Sequence, residues 1–338
     1  MGHFARRWFL TAICAFALFD PLAFLTPVFA QAKLSQPIKR IGFLWLITPK
    51  DEAANIRAFE QGLRERGYVR GTNVELEYRF ASGRNDLLPE QAVDLVRSKV
   101  DVIVAVTNPG VAAAKQATSS IPIVMVLAND PVRAGFVESL AHPGEGNITG
   151  LTFDAGDEIW SKRLEILKEA APKIERVGVL WNPDYPPNPF RWKVIEATAP
   201  SLGLTLISAP IRKASDLESV LGELKRQGAQ GIQVFGDGLV YTLRGQIAEF
   251  AIKNRLPNIS PYRAAVDAGG LLSIGIGLAQ QYAYSAVYVD KLLKGMRPAD
   301  IPVERPNKFE LTVNLKAARA MEITIPPSVL LRADHVIE

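Results

Sequence analysis

Cysteine and histidine are nearly missing from this chain, which has one Cys and three His in 338 residues. Cys14 and His3 fall in the N-terminal segment, so His142 and His335 must serve everything else. That excludes a Cys/His zinc site, a disulfide framework and a cysteine nucleophile. A Ser-His-Asp arrangement would need His142, in the turn Ala141-His142-Pro143-Gly144, or His335, and neither lies near a nucleophile in the order of elements read below. No G-x-G-x-x-G follows the first apolar run, and no P-loop or G-x-S-x-G elbow is present. No cofactor is expected. A dominant charge is missing as well: 39 Lys+Arg stand against 35 Asp+Glu, scattered without a basic stripe, so nucleic acid is not an expected partner. Acid/base pairs of carboxylates stay open, because Asp and Glu are numerous.

What is there reads as an exported globular protein. A hydrophobic fraction of 48% with 22% charged residues excludes wholesale disorder, and the length suits two domains or two lobes of one. Arg6 and Arg7 precede an apolar run from Trp8 to Phe29, which ends Val28-Phe29-Ala30. A basic start, an apolar middle and small residues at the end make residues 1–30 a signal peptide cleaved after Ala30, with the periplasm as destination. Asp20-Pro21 interrupts the run and disfavours the competing reading, a retained membrane anchor. Ala5–Leu10 also fits a twin-arginine signal, so the export route stays open. The chain that remains has no cysteine and needs no disulfide machinery.

Beyond a polar linker, apolar runs alternate with helical patterns. Strands are expected at Ile41–Leu46, Val74–Tyr78, Val102–Val106 and Ile123–Leu127, with helices at Glu52–Arg66, Leu87–Ser98 and Gly110–Thr118 between them. This is the pattern of βαβ units on a parallel sheet. The pattern then restarts: Lys39-Arg40-Ile41-Gly42-Phe43-Leu44-Trp45 is echoed by Glu175-Arg176-Val177-Gly178-Val179-Leu180-Trp181. Val102–Asn108 corresponds to Ile232–Asp237, and Ile121-Pro122 to Leu256-Pro257. The repeat predicts an α/β fold of two lobes, each a doubly wound parallel sheet. Lobe 1 is expected to span 31–150 plus 268–297, and lobe 2 to span 151–267 plus 298–338. In this reading the strand in Gly269–Gly275 and the helix Ala279–Leu293 both return to the first lobe, and several hinge crossovers result.

Ligands of open parallel sheets bind beyond the carboxyl ends of the strands. The stretches there are Thr107-Asn108-Pro109-Gly110, Asn129-Asp130-Pro131, Trp181-Asn182-Pro183, Gly236-Asp237-Gly238 and Ser260-Pro261-Tyr262-Arg263. Asn, Asp or Ser before Pro is what a helix start requires, so each stretch reads equally as a cap or as a place where free N–H groups meet an anionic ligand group. Trp45 and Trp181 end equivalent strands and read either as core or as two walls closing on a ligand. Asp237, between glycines, could accept from a ligand ammonium, and Arg263 could fork to a carboxylate. The candidate ligand-binding set is therefore Trp45, Thr107, Asn108, Asn129, Asp130, Trp181, Asn182, Asp237, Tyr262 and Arg263.

Further stretches carry a family likeness: Phe59–Tyr68, Ala113–Thr118, Asn147–Thr152, Tyr288–Gly295 and Ile325–Asp334. With these the chain resembles the substrate-binding proteins of ABC transporters of the tryptophan/tyrosine-transport type. The resemblance implies a periplasmic-binding-protein fold with three crossovers, no catalysis, and delivery of a small solute to permease membrane subunits; the expected solute is an amino acid or another aromatic or carboxylate-like molecule, and a monomer is the simplest expectation for such a clamp. It also implies that Asp237 looks to a ligand amine and that Thr107 and its neighbouring N–H groups hold a carboxylate. The chain departs from the family pattern at Ile274, where a Tyr is common, and near Ala265, where an acidic residue is often seen. A periplasmic sensor for a signalling receptor and a two-lobed α/β enzyme remain as rival readings of the same fold.

Overall fold

The computed structural model describes residues 37–153, 156 and 158–338. The expected signal peptide, residues 1–30, lies outside the described residues. The first series of elements is β1 (Lys39–Trp45), α1 (Pro49–Arg64), β2 (Val74–Phe80), α2 (Leu88–Arg97), β3 (Val102–Val106), α3 (Thr107–Ala117), β4 (Ile123–Ala128) and β5 (Ile148–Thr152). The second is α4 (Glu158–Ala170), β6 (Arg176–Trp181), α5 (Asn188–Thr198), β7 (Thr205–Pro210), α6 (Leu217–Arg226), β8 (Gly231–Val234), α7 (Gly238–Thr242), α8 (Arg244–Lys253), β9 (Asn258–Ser260), α9 (Arg263–Asp267) and β10 (Leu272–Gly275). Then come α10 (Leu278–Leu293), β11 (Glu310–Asn314), α11 (Leu315–Ala320), α12 (Pro327–Leu330) and β12 (His335–Ile337).

The strands form a five-stranded sheet in the order β2-β1-β3-β4-β5 and a seven-stranded sheet in the order β12-β11-β10-β9-β8-β6-β7. From β7 to β10 the second order repeats the first, so the echo between the segments around Trp45 and Trp181 is a true structural repeat. The first sheet is all parallel; β11 pairs antiparallel with β10, which makes the second sheet mixed. Central strands β3 and β4 are buried along their whole length, as strands covered by helices on both faces must be.

One expectation is corrected here. The strand in Gly269–Gly275 was expected in the first lobe, but β10 pairs with β9 and β11 in the second sheet. Only α10 crosses back, and it packs along α1 and under β3, β4 and β5. The repeat requires this, because β10 is the second lobe's counterpart of β5. Gly62 makes the α1–α10 contact possible, since a Cβ there would stand 2.3 Å from the carbonyl oxygen of Ala283. Phe59 and Leu63 beside it are buried in the same seam. Residues 301–304 also lie on the first lobe: Glu304 N donates to Gly150 O at 3.1 Å, and Thr149 Oγ1 to Ile301 O at 2.6 Å. The chain therefore passes between the lobes at β5–α4, at β10–α10 and again before β11.

Among the described residues, no helix is long and apolar enough to cross a membrane.

Candidate functional site

In a sheet of order 2-1-3-4-5 the crevice opens at the switch point, between the ends of the first and third strands. In the first lobe these ends carry Leu46–Thr48 and Thr107; in the second they carry Asn182 and Asp237. The two crevices face each other and enclose two adjoining chambers. The inner one, about 40 Å³, is walled by the rings of Trp45, Tyr241, Tyr262 and Tyr282, with Val106, Leu127 and Glu52. The outer one, about 340 Å³, runs past Ser82–Asn85 and Asn182 to Arg212 and Lys213. Leu46, Thr107, Asp237 and Gly238 line both.

Asp237 stands at this junction. Its Oδ1 accepts from Val240 N at 2.9 Å and caps α7. Its Oδ2 is buried and has no hydrogen-bond partner among the described residues. With the side chain only 5% exposed, burial pushes the carboxyl up to about 6, and the capping bonds and Arg191 offset part of that rise. An orphaned buried carboxylate oxygen is costly, and it calls for a donor from outside the protein.

Thr107 opens α3 in the left-handed region (φ 61°), and its hydroxyl donates to Val106 O. Leu127 (φ 58°) sits at a register shift in β4, which aims its side chain into the inner chamber. Strained backbone at both strand ends is what a site that must hold a fixed shape tolerates.

The remaining candidates divide. Trp45 is 1% exposed and stacked on Phe43 (4.6 Å) and Tyr282 (5.4 Å), so it is core with one edge in the inner chamber. Tyr262 lines that chamber, its hydroxyl 3.4 Å from Asp237 O, and burial raises its phenol well above the ordinary range. Asn182 lines the outer chamber. Asn108 and Asn129 clasp each other: Asn108 Nδ2 donates to Asn129 O (2.8 Å), and Asn129 N donates to Asn108 Oδ1 (2.7 Å). Their free ends meet the opposite lobe, where Tyr185 and Arg191 bond to Asn129.

Three more candidates, like Asn108 and Asn129, line neither chamber. Trp181 stacks on Trp192 of α5 (5.6 Å) and donates to Ser208 Oγ (2.9 Å), so it is not the mirror of Trp45. Arg263 pairs with Asp267 along its own short helix (3.7 Å) and lines a separate rear cavity with Asn55 and Gln280. Asp130 is held by Arg133 at 2.9 Å.

The sequence reading missed Glu52, Tyr241, Tyr282 and Tyr185. Glu52 lies in the first turn of α1, where an acid reads as favourable to the helix dipole. In the fold it is buried, accepts from Asn55 Nδ2 (2.8 Å) and from the Tyr282 hydroxyl, and burial raises it to about 7. Trp45 Nε1 donates in turn to Tyr282 Oη (2.9 Å), so a chain of bonds fixes the chamber's wall. The only signal in the sequence was the aromatic content of α10 and α7, which reads as core. Nearby, Asp51 of α1 and Arg244 of α8 form an ion pair of 3.0 Å between the lobes.

Two α/β lobes joined by several crossings, with an unpaired acid in the cavity between them, define a two-lobed solute-binding protein of the periplasmic-binding type. The chain belongs to the family described as ABC transporter substrate binding protein, whose match spans residues 46–337. A tyrosine-binding protein of Clostridioides difficile (strain R20291) is 26% identical over 291 residues, covering 86% of this chain and 82% of that protein. Among solved structures, a conserved domain protein from Vibrio cholerae superposes with TM-score 0.82 at 27% identity, over 88% of this chain and 99% of its own. An ABC domain in complex with L-Trp from Streptococcus pneumonia superposes with TM-score 0.81 at 25% identity, over 89% and 100%.

Proposed function

We propose that this chain captures an amino-acid-type zwitterion between its lobes and delivers it to the membrane subunits of an ABC importer. The observation that carries this reading is the buried, unpartnered Oδ2 of Asp237 in the interlobe cavity. A ligand ammonium supplies the missing donor, and a charge-assisted bond in a site shielded from water is strong. Thr107 and the N–H groups at the start of α3 take the carboxylate, at the positive end of the helix dipole. The inner chamber, about 40 Å³, takes only a small apolar group, and a larger apolar or aromatic body has room in the outer chamber of about 340 Å³; the relatives named for tyrosine and solved with L-Trp favour an amino acid.

Contacts from both lobes make the ligand favour closure, and the permease reads the closed form. A ligand shifts that equilibrium only by its preference for closed over open. In this reading the protein is exported, cleaved after Ala30, and works as a monomer in the periplasm without catalysis.

The test is a thermal-shift panel of amino acids and aromatic carboxylates on the chain from Gln31. A ligand at a hundred times its Kd adds about 2.7 kcal/mol, which raises the melting point visibly. A hit that Asp237→Asn abolishes supports the reading. A hit indifferent to Asp237, or a bound solute recovered chemically altered, overturns it.

A further inference from the structure

We infer that the solute carries a second acidic group beyond its α-carbonyl, held at the mouth of the outer chamber by Arg84 of one lobe and Lys213 of the other. This rests on the zwitterion reading above and narrows it to short acidic peptides, or amino-acid conjugates of that length.

The two cations occupy equivalent places in the repeat. Arg84 follows β2 and precedes a 3₁₀ turn, Asn85–Leu87, that leads into α2. Lys213 follows β7 and precedes the 3₁₀ turn Ala214–Asp216 that leads into α6. Because the lobes face each other, these loops meet across one cavity, and Arg212 adds a third positive side chain beside Lys213. Each loop is pinned. Arg84 pairs with Asp86 at 2.6 Å, Arg212 with Asp184 at 3.4 Å, and Asp216 accepts from the backbone N–H of Arg212 and Lys213 at 3.2 and 3.1 Å. Lys213 makes no ion pair among the described residues.

The deep end holds the unpartnered acid Asp237; towards the mouth Arg84, Arg212 and Asp51 are each matched by an opposite charge, and Lys213 is the cation of the lining without an acid among the described residues. At about 340 Å³ the outer chamber is larger than an α-carboxylate can fill, given that about 150 Å³ suffices for a benzene ring. A ligand with its ammonium on Asp237 and its carbonyl at Thr107 has both its side chain and its extension in the outer chamber, with the extension directed to Arg84 and Lys213.

Closure gains from this arrangement. An anionic group at the mouth is met by Lys213 from one lobe and by the guanidinium of Arg84 from the other, and it has both partners only when the lobes are together. The acidic end then binds closed far better than open, which is the condition for a ligand to drive closure.

The experiment is titration calorimetry of the purified chain with L-tyrosine, tyrosyl-glycine, tyrosyl-glutamate and tyrosyl-lysine. Tyrosyl-glutamate is expected to bind about tenfold tighter than tyrosyl-glycine, and tyrosyl-lysine weakest. In Arg84→Gln/Lys213→Gln the three dipeptides should fall within about threefold of one another. A purely structural defect would weaken all three alike and keep their ranking, and that result overturns the proposal. Binding of tyrosine with rejection of every dipeptide, or dipeptide affinities that ignore charge, also overturns it and leaves the amino-acid reading standing. If none of the four binds, this proposal falls, and the amino-acid reading is decided by the thermal-shift panel above.

Discussion

Asn129 of the first lobe donates from Nδ2 to the hydroxyl of Tyr185 in the second, at 2.7 Å, in a buried contact that exists only when the lobes are together. Arg191, buried and lying 4.2 Å over the Trp160 ring, donates to Asn188 Oδ1 (2.8 Å), to Gly236 O (2.9 Å) and across the cleft to Asn129 Oδ1. The strand-end asparagines thus latch the clamp, and Arg191 ties the latch to the loop that presents Asp237. Tyr185→Phe leaves the Asn129 amide short of an acceptor, at a cost of about 1–3 kcal/mol to the closed form. Small-angle scattering should show a larger radius without ligand, and ligand affinity should drop several-fold. Unchanged scattering and affinity would remove the latch.

With Asp237 as the partner of the ligand ammonium, as proposed, binding should depend on pH. Its carboxyl must be ionised to meet an ammonium, and burial raises it to about 6, so affinity should climb between pH 5 and pH 7. Stability of the ligand-free protein runs the other way. A folded-state value raised above the unfolded one means that the folded state binds the proton more tightly. The contribution is full below about pH 4 and is lost as pH rises through 6. Asp237→Asn keeps the cap on Val240, flattens both profiles and costs at least tenfold in affinity for amino acids. Calorimetry and melting curves from pH 4.5 to 7.5 check all three.

Glu52 carries the same sign at higher pH. Burial raises it to about 7, so its contribution to stability is full below about pH 4 and is lost as pH rises through 7. Glu52→Gln keeps a partner for Asn55 and should melt higher than the parent at pH 8, with the difference gone at pH 4. A variant that melts lower at pH 8 would show that the carboxylate is needed as an anion.

Gly62 is the point of nearest approach between α1 and α10. With the carbonyl of Ala283 2.3 Å from where a Cβ would be, Gly62→Val must push the helices apart. Overpacking of this kind costs about 1–3 kcal/mol or more, read as a lower urea midpoint. Since α10 also carries Tyr282, ligand affinity should fall with stability.

Trp181→Phe supplies a negative control. The ring packs on Trp192 outside the cleft, so the variant should lose a little stability and leave ligand affinity unchanged. A loss of affinity would return Trp181 to the site.

The repeat and the parallel sheets were legible because they rest on local order. Apolar runs such as Val102–Val106 can only be strands buried on both faces, and ligands meet such sheets at the carboxyl ends, where Thr107 and Asp237 indeed stand. Side-chain direction was not legible. Trp45 and Trp181 look alike in sequence, yet one borders the inner chamber and the other stacks on Trp192, because the helices packed around equivalent strands differ. Asn108 and Asn129 carry a capping signature, but their partners come from more than fifty residues away in Tyr185 and Arg191. Nor could the chain order alone assign β10 to the second sheet while α10 crosses to the first. By itself the sequence determined the elements and their order, since periodicity and propensity act over a few residues. The closing of the lobes decided the rest: burial of Glu52, isolation of the Asp237 oxygen, and the meeting of Arg84 with Lys213 depend on surfaces far apart along the chain that only tertiary packing brings together.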